Sequence, residues 1–304
     1  AGTAGPWSAV STFRWPEPAT EVRPGVAPRR QGATVKSFLL ILAVLLPAIV
    51  CPALAQQNAT NVEELSKQAA NPLADLISLP FQNNTNFGLG PYDRTNNILN
   101  IQPVVPFADG RIITRTIAPV VWIPEFDEES GLDTWGLSDM QFTAFYAPPS
   151  DGLMWGVGAV VEVPTGGEKR GSQKWSLGPS VVALYQPGDW TYGALVNNVW
   201  SVAGESGRQD VNKGLVNLFL VRQLGGGWYV NSAPIITVNW EAESDERWIV
   251  PLGAGAGKVA MFGKLPVNTQ VGAYFNVVKP DFGPDWQLRV QVQVFLPKPG
   301  SGKG

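Results

Sequence analysis

The sequence contains no histidine, a single cysteine and few charged residues. Histidine is the commonest general base and the commonest metal ligand in proteins, so its absence argues against most hydrolytic and metal-dependent active sites. Charged residues make up 15% of the chain. A soluble domain of this size has about a quarter charged residues. Something other than charge must therefore cover the surface of this protein.

Only one long hydrophobic run is present, SFLLILAVLLPAIVCPALAQQ at residues 37–57, and it contains the single cysteine, Cys51. A basic residue precedes the run, and Ala53–Leu54–Ala55 has the small-x-small pattern of a signal peptidase site. We therefore expect a signal peptide at residues 35–55. The alternatives are a membrane anchor, which two prolines interrupt, and a lipidated Cys51, which a bulky valine precedes.

The segments on either side of the signal differ in character. Residues 1–34 are rich in Pro, Arg and Gly without periodicity, so we expect them to be disordered or a misassigned upstream extension. Residues 56–75 form a periplasmic N-terminal segment, in which Thr60 and Glu63 resemble a capping box that opens a short helix. After Ala55 the chain has 17 basic and 23 acidic residues, a formal charge of −6 that argues against a nucleic-acid partner.

From residue 76 to 298 the sequence alternates between apolar and polar residues. In DWQLRVQVQVFLPK, residues 285–298, every second side chain from Trp286 to Leu296 is apolar, and the positions between include Gln287, Arg289, Gln291 and Gln293. A period of two predicts a β-strand with one apolar and one polar face. Twelve such runs occur, at residues 76–89, 97–107, 111–123, 134–147, 153–164, 174–186, 189–203, 213–224, 227–241, 247–260, 265–278 and 285–297.

The breaks between these runs alternate in length. Short turns such as ADG and PGD alternate with longer ones such as PEFDEESGLDT and TGGEKRGSQ. Long loops at one end and short turns at the other are typical of bacterial outer-membrane barrels. The sequence therefore predicts an all-β protein, a closed antiparallel transmembrane β-barrel of about 12 strands with a short N-terminal helix. Lipid leaves no backbone group unpaired at tolerable cost, so the twelfth strand must pair with the first.

Tryptophan placement agrees with a barrel in a membrane. Indole rings favour the interface between lipid and water, so tryptophans at strand ends should form two belts. The predicted outer belt consists of Trp122, Trp135, Trp175, Trp200, Trp240, Trp248 and Trp286, and the predicted inner belt consists of Trp155, Trp190 and Trp228.

Four stretches carry a resemblance to a known family: NPLADLISLPFQNNTNFGLGPYDRTNNILNIQPVVPF, KWSLGPSVVALYQPGDWTYGALVNNVWSVAGESGR, SAPIITVNWEAESDERWIVPLGAGAGKV and YFNVVKPDFGPDWQLRVQVQVFLPK. They resemble bacterial outer-membrane proteins commonly labelled transporter or neuromedin U, which are related to the outer-membrane proteins of the phenol meta-degradation pathway. The resemblance spans about residues 71–298. It implies a barrel with a transport role and brings no catalytic motif, cofactor or substrate.

Inward-facing polar residues are the candidates for function. The pore-lining candidates are Arg115, Asp139, Glu162, Asn197, Arg222, Asn239, Asn268, Gln270, Gln287, Arg289 and Gln291. In one interpretation, Arg115, Arg222 and Arg289 form a constriction that selects anionic or polar solutes. In the other, these arginines pair with Asp139 and Glu162 in a network that fills and stiffens the barrel.

Two further motifs have structural interpretations. GAGAGK at residues 253–258 lacks the Ser or Thr of a phosphate-binding loop, so its glycines more plausibly make room for a bulky neighbour or the N-terminal helix. The acidic loops PEFDEES and EAESDER could bind Ca²⁺ or Mg²⁺ next to lipopolysaccharide, but they show no ligand spacing and are better explained as solvated loops. We expect no metal site, no cofactor and no catalytic residues.

These observations predict a channel or transporter in the outer membrane of a Gram-negative bacterium. It would pass small solutes without energy input, including aromatic or hydrophobic compounds if the resemblance holds. The expected partners are outer-membrane lipid, lipopolysaccharide, the small-molecule solute and, during insertion, the outer-membrane assembly machinery, since Phe295 resembles its aromatic C-terminal signal. The alternative is a non-conducting barrel, plugged by its own side chains and the helix, with a structural or surface-interaction role.

Overall fold

The computed structural model of the protein describes residues 55–124, 134–263 and 265–297. The predicted upstream extension, residues 35–54 of the predicted signal peptide, the acidic residues 125–129 and the tail 299–304 lie outside the described residues. One helix, α1 (Ala55–Ala69), precedes the strands, which confirms the predicted short helix. Among the described residues, no helix has the length and apolar character to cross a membrane.

Fifteen β-strands follow α1 in the described part of the chain. They are β1 (Ile77–Leu89), β2 (Arg94–Ile101), β3 (Val104–Phe107), β4 (Ile112–Ile123), β5 (Thr134–Leu137), β6 (Met140–Tyr146), β7 (Met154–Val163), β8 (Lys174–Tyr185), β9 (Trp190–Gly204), β10 (Asn212–Gly225), β11 (Trp228–Ser232), β12 (Ile235–Asn239), β13 (Trp248–Phe262), β14 (Leu265–Val278) and β15 (Trp286–Leu296).

These strands make twelve spans, because β2 with β3, β5 with β6 and β11 with β12 each continue one another after a break of two residues. Two of the breaks contain a proline, Pro103 and Pro234, which has no N–H to donate to a neighbouring strand. Each proline still accepts through its carbonyl, from Thr116 N–H at 3.0 Å and from Leu218 N–H at 3.1 Å. The spans therefore bend at these points without leaving the sheet.

The sheet closes on itself. Each span pairs with the next, and β15 pairs antiparallel with β1 over eleven residue pairs, from Ile77 opposite Leu296 to Phe87 opposite Trp286. The prediction of a closed antiparallel barrel of twelve strands is confirmed. Closure gives every span two neighbours, as the interior of a bilayer requires.

The two ends of the barrel have different connections. One, here called the long-loop end, has the connections 164–173, 205–211, 240–247 and 279–285, while the other, the short-turn end, has the connections 108–111, 186–189 and 226–227. The alternation predicted from the sequence holds with two exceptions. The connection 90–93 at the long-loop end is short, and the connection 147–153 at the short-turn end is not.

Residues on alternate positions face the interior and the exterior of the barrel. Along β15, Gln287, Arg289, Gln291 and Gln293 line the interior, whereas Val292 and Leu296 are exposed on the outside. Exposed Val, Leu, Phe and Trp side chains cover the exterior of the other spans as well. An apolar surface of this extent is unfavourable in water and suits the hydrocarbon of a bilayer.

Tryptophans lie at both ends of this exterior. Nine of the ten predicted belt residues are exposed, and in the outer group Trp122 lies directly opposite Trp135 on neighbouring strands. The exception is Trp286, which is half-buried because its ring stacks on Phe87 with the ring centres 4.2 Å apart.

Candidate functional site: the barrel lumen

A cavity of about 420 Å³ occupies the interior of the barrel. At the short-turn end it is lined by the last residues of α1 and by the segment that follows, residues 70–76, here called the inner segment. At the long-loop end its lining includes Glu246, Arg247 and Pro284, which belong to the loops. The cavity therefore extends between the two ends of the barrel.

The structure places ten of the eleven pore-lining candidates on the wall of this cavity. They are Arg115, Asp139, Glu162, Asn197, Asn239, Asn268, Gln270, Gln287, Arg289 and Gln291. They come from seven different spans, so closure of the barrel brings together residues that are up to 176 positions apart in the sequence, the separation of Arg115 and Gln291.

Arg222 does not line the cavity, and its prediction as a pore residue is wrong. It is exposed on the outside of β10, where its guanidinium lies 5.4 Å from the ring centre of Trp190. The alternation in β10 is ambiguous because both faces of the strand carry apolar residues: Val221 faces inward, and Leu220 faces outward. At the short-turn end a charged head group can stack on an interfacial indole and reach water, so an outward arginine is tolerated there.

One side of the lumen is lined by amide side chains from β14, β15, β1 and β2, here called the polar wall. Its members hydrogen-bond from strand to strand: Gln287 donates to Asn86 at 2.9 Å, and Asn86 donates to Asn96 at 2.8 Å. Asn268 donates to Gln293 at 3.2 Å in the same way. Amides both donate and accept hydrogen bonds, so this wall can bind polar solutes of either hydrogen-bonding type.

Arg289 lies in the polar wall and is 95% buried. Its guanidinium donates to Asn84 Oδ1 at 3.2 Å, to Gln287 Oε1 at 3.1 Å and to the carbonyl of Ala233 at 2.8 Å, and it lies 4.5 Å from the ring centre of Tyr274. All these partners are neutral, and no carboxylate of the described residues forms an ion pair with it. Arg289 is thus a fixed, uncompensated positive charge.

A glycine of β13 makes room for a tyrosine ring in the lumen. A Cβ added to Gly257 would lie 2.3 Å from the Tyr229 ring, and Tyr229 donates to Asn268 Oδ1 at 2.8 Å. GAGAGK lies within β13, a strand, which excludes the helix that a phosphate-binding loop requires. The structural interpretation, room for a bulky neighbour, agrees with this packing.

The opposite side of the lumen is apolar near the short-turn end. Its buried cluster, here called the apolar wall, consists of Ile113, Phe145, Ala147, Val182, Leu184 and Leu195, with Leu215 and Phe219 packed against it. Leu73 of the inner segment belongs to the same cluster and is buried. The spans β7 to β10 lie half a turn around the barrel from the polar wall, so the lumen has two chemically different sides.

The carboxylates of the lumen have partners other than the arginines. Glu162 accepts from Lys213 Nζ at 2.8 Å and from Gln141 at 3.1 Å, and both members of the Lys213–Glu162 pair are buried. Asp139 accepts from the backbone N–H groups of Gly166 and Ser172 at 2.9 and 2.6 Å, so it anchors the loop 164–173. The proposed network of arginines with Asp139 and Glu162 is not formed.

Arg115 lies inside the barrel with a neutral partner as well. It donates to the side-chain oxygen of Gln102, in the break between β2 and β3. Among the described residues it has no ion pair. The spans of the barrel therefore place two arginines in the lumen, Arg115 and Arg289, whose charges no described carboxylate neutralises.

Several lumen residues were not among the sequence candidates. They are Gln82, Asn84, Asn86, Asn100 and Gln102 of the polar wall, and Lys213 opposite Glu162. The alternation of Leu79 and Phe81 with the amides of β1 was the available signal for the first three. No group of acidic residues suited to a metal ion occurs among the described residues, and Glu246 of EAESDER accepts from the N–H of Asp281 at 3.2 Å.

Part of the chain matches a family model. Residues 80–206 match the model described as "Putative MetA-pathway of phenol degradation", which supports the predicted resemblance to the barrels of that pathway. The transporter and neuromedin U labels stay predictions. No curated protein matches the sequence.

Solved structures resemble the fold. An outer-membrane channel from Pseudomonas putida F1 is similar, with 17% identity and a TM-score of 0.53, over 73% of this chain and 94% of that chain. The NanC porin has 8% identity and a TM-score of 0.49, over 73% of this chain and 99% of the porin. The CymD monoaromatic hydrocarbon channel has 9% identity and a TM-score of 0.38, over 76% of this chain and 92% of that channel. The likeness to the Pseudomonas putida structure shows that the chain has the fold of an outer-membrane β-barrel.

Proposed function

We propose that the protein is a channel for the passive passage of small solutes across the outer membrane of a Gram-negative bacterium. The observation that carries this proposal is a cavity between the two ends of a closed barrel whose exterior is apolar. A barrel that served only as a scaffold could fill its interior with apolar side chains, as small barrels do. Here amides and charged groups line much of the interior.

Other parts of the proposal rest on the sequence. One is the domain division, in which a signal peptide is removed before residue 56 and the barrel comprises residues 76–298. The other is the set of contacts with lipopolysaccharide and the assembly machinery. The exterior favours lipid as a partner, and the exposed tryptophans at its two ends fit the interfaces of a bilayer. The ten lumen candidates would form the pore lining.

The fixed charges favour anions among the solutes. Within the part of the chain that the structure describes, Arg115 and Arg289 have only neutral partners, while Lys213 and Glu162 neutralise one another. Rings and clusters of charged side chains set the selectivity of pores. The lumen should therefore attract small anions and admit polar uncharged solutes.

Swelling of liposomes in solutions of uncharged sugars tests passive passage directly. Liposomes that contain the folded protein should swell in arabinose, a small sugar, and more slowly in the trisaccharide raffinose, because a cavity of about 420 Å³ admits only small solutes. Liposomes without protein are the control. Equal exclusion of both sugars by the folded protein would contradict the proposal.

A plugged, non-conducting barrel is the second candidate, and one observation favours it. The inner segment inserts Leu73 into the apolar wall, and α1 is attached to the rim by Ser66, which donates to Gln223 at 2.6 Å, and by Gln186, which donates to the Lys67 carbonyl at 2.9 Å. These contacts narrow the short-turn end. In a plugged barrel they would close it.

Substitution at Leu73 separates the two candidates. L73D places a charge in the apolar wall and should release the inner segment, so conductance in a planar bilayer should rise above that of the original protein. L153D, in an exposed turn at the same end, is the matched control. If only L73D or the variant without residues 56–70 conducts, the barrel is plugged. If the original protein and all variants conduct equally, Leu73 has a packing role.

A further inference from the structure

A row of four residues crosses the sheet in the lumen beside Arg289. Gly255 of β13 and Gly272 of β14 lie side by side in the sheet, between Asn231 of β11 and Arg289 of β15. Asn231 and Arg289 line the cavity at the two ends of this row. The Tyr274 ring lies next to Gly272, where an added Cβ would be 3.2 Å from Tyr274 Cε2. A Cβ on Gly255 would lie 3.0 Å from Asn231 Oδ1. The part of the cavity between Asn231 and Arg289 is here called the recess.

The two residues that flank the recess offer opposite hydrogen-bonding groups. Asn231 is 93% buried and lines the cavity, and its Oδ1 has no hydrogen-bond partner among the described residues. Arg289 makes three hydrogen bonds, whereas a guanidinium has five N–H groups. A buried acceptor without a partner is costly unless something donates to it. The recess therefore presents an unused acceptor next to unused, positively charged donors.

The guanidinium is held close to Asn231. Its Nη1 donates to the carbonyl of Ala233, two residues after Asn231, and Tyr274 Oη accepts from the Ala233 N–H at 3.3 Å. Tyr274 also lies under the guanidinium. Since four partners fix the head group, its free N–H groups are preorganised for a carboxylate, which accepts two parallel bonds from arginine.

The side of the lumen opposite the recess would contact the rest of a solute. Phe219 and Leu215 pack against the apolar wall there and line the same cavity. Aromatic rings and short apolar chains are favourable on such a surface because their contact removes apolar area from water. The lumen thus offers a cationic donor, Arg289, and an acceptor, Asn231, on one side and an apolar surface on the other.

We propose that the recess at Asn231 and Arg289 is a binding site for small carboxylates that have an apolar ring and a hydroxyl group. The carboxylate would accept from Arg289, the hydroxyl would donate to Asn231 Oδ1, and the ring would face the apolar wall. This inference rests on the proposed channel function, because it names the class of solute that the channel binds during passage. A bound solute would obstruct the flow of chloride.

Block of the chloride current through the purified protein in a planar bilayer tests the site. 4-Hydroxybenzoate should block at the lowest concentration, benzoate at a higher one and acetate, which has no ring, at a higher one still. Phenol, which has no charge at neutral pH, should not block in the same range. Each step removes one of the three interactions.

Two variants assign the interactions to residues. R289Q should raise the half-blocking concentration of all three carboxylates by about tenfold or more, because charge-assisted hydrogen bonds are the stronger ones. N231L should raise the half-blocking concentration of 4-hydroxybenzoate by about fivefold, to that of benzoate, and leave the half-blocking concentration of benzoate unchanged. R222Q removes an arginine on the outside and is the matched control.

The outcomes are distinct from those of the channel test. If the protein carries a chloride current and 4-hydroxybenzoate blocks no better than acetate, the site is wrong and the channel stands. A folded protein without current overturns the channel itself. Arg289 also holds Ala233, so R289Q must show the heat-dependent gel mobility of a folded barrel. If R289Q does not fold, N231L decides the question, and block of N231L by 4-hydroxybenzoate at the same concentration as in the original protein contradicts the proposal.

Discussion

Buried charges in the lumen fall into two kinds at the residue scale. Lys213 and Glu162 neutralise one another at 2.8 Å, whereas Arg289 is held by neutral partners alone. A buried ion pair depends on both members, because removal of one leaves the other charged and desolvated. An arginine held by carbonyls and amides keeps its charge available to a solute.

The Lys213–Glu162 pair gives a prediction for stability. K213M should lower the free energy of unfolding by about 3–5 kcal/mol, since it leaves the Glu162 carboxylate buried without its cation. Denaturant unfolding of the protein in lipid vesicles measures this change. In the double variant K213M/E162Q most of the loss should return.

Lys174 supplies the matched control for that experiment. Lys174 pairs with Asp210 at 3.1 Å, but the Asp210 side chain is 74% exposed. The Lys174 ammonium lowers the pKa of the Asp210 carboxyl, and water solvates this carboxylate when the lysine is removed. K174M should therefore cost much less than K213M, and an equal cost for both would contradict the assigned roles.

The regularity of the alternation around a residue explains whether its orientation could be predicted from the sequence. Gln287, Arg289 and Gln291 alternate with apolar residues over a whole strand, so their inward orientation was clear. Arg222 follows a stretch in which both faces are apolar, and alternation gives no answer there. In the structure Arg222 faces outward and its guanidinium lies over the Trp190 ring on the neighbouring strand. The sequence around Arg222 does not reveal this contact.

At the element scale, the strands were the most predictable part of the molecule. A barrel strand has one face in lipid and one in the lumen, so its period of two is unbroken where both environments are uniform. The interruptions at Pro103 and Pro234 were not placed by the pattern, because alternation continues across them and only the hydrogen bonds of the sheet change. A short helix was predicted, but the capping pattern placed its start at Thr60, whereas α1 begins at Ala55. Its attachment to the barrel was not predicted.

Neighbouring positions of β15 test the assignment of the two faces. V292R places a charge on the lipid side and should cost about 2–4 kcal/mol in lipid vesicles, since Val292 lies near the middle of the span. Q291R places the same side chain in the lumen and should cost little. Similar losses for both variants, or a larger loss for Q291R, would show that the faces have been assigned wrongly.

At the scale of the whole molecule, closure of the barrel creates the site. The polar wall joins β14 and β15 to β1 and β2, so it exists only once the last strand pairs with the first. The sequence predicted closure because lipid tolerates no open sheet edge. It did not predict the contact of Leu73 with the apolar wall or the recess at Asn231, since both depend on which spans lie opposite one another in a barrel of this size.

The central claim is that the closed barrel conducts small solutes and that its uncompensated arginines favour anions. Single-channel recording of the purified protein in a planar bilayer under a gradient of potassium chloride tests it most directly. We predict steady conductance steps with a reversal potential of the sign set by chloride, shifted toward zero in R115Q and R289Q and unchanged in R222Q. Absence of steps from protein shown to be folded, or a reversal potential of the sign set by potassium, would contradict the account.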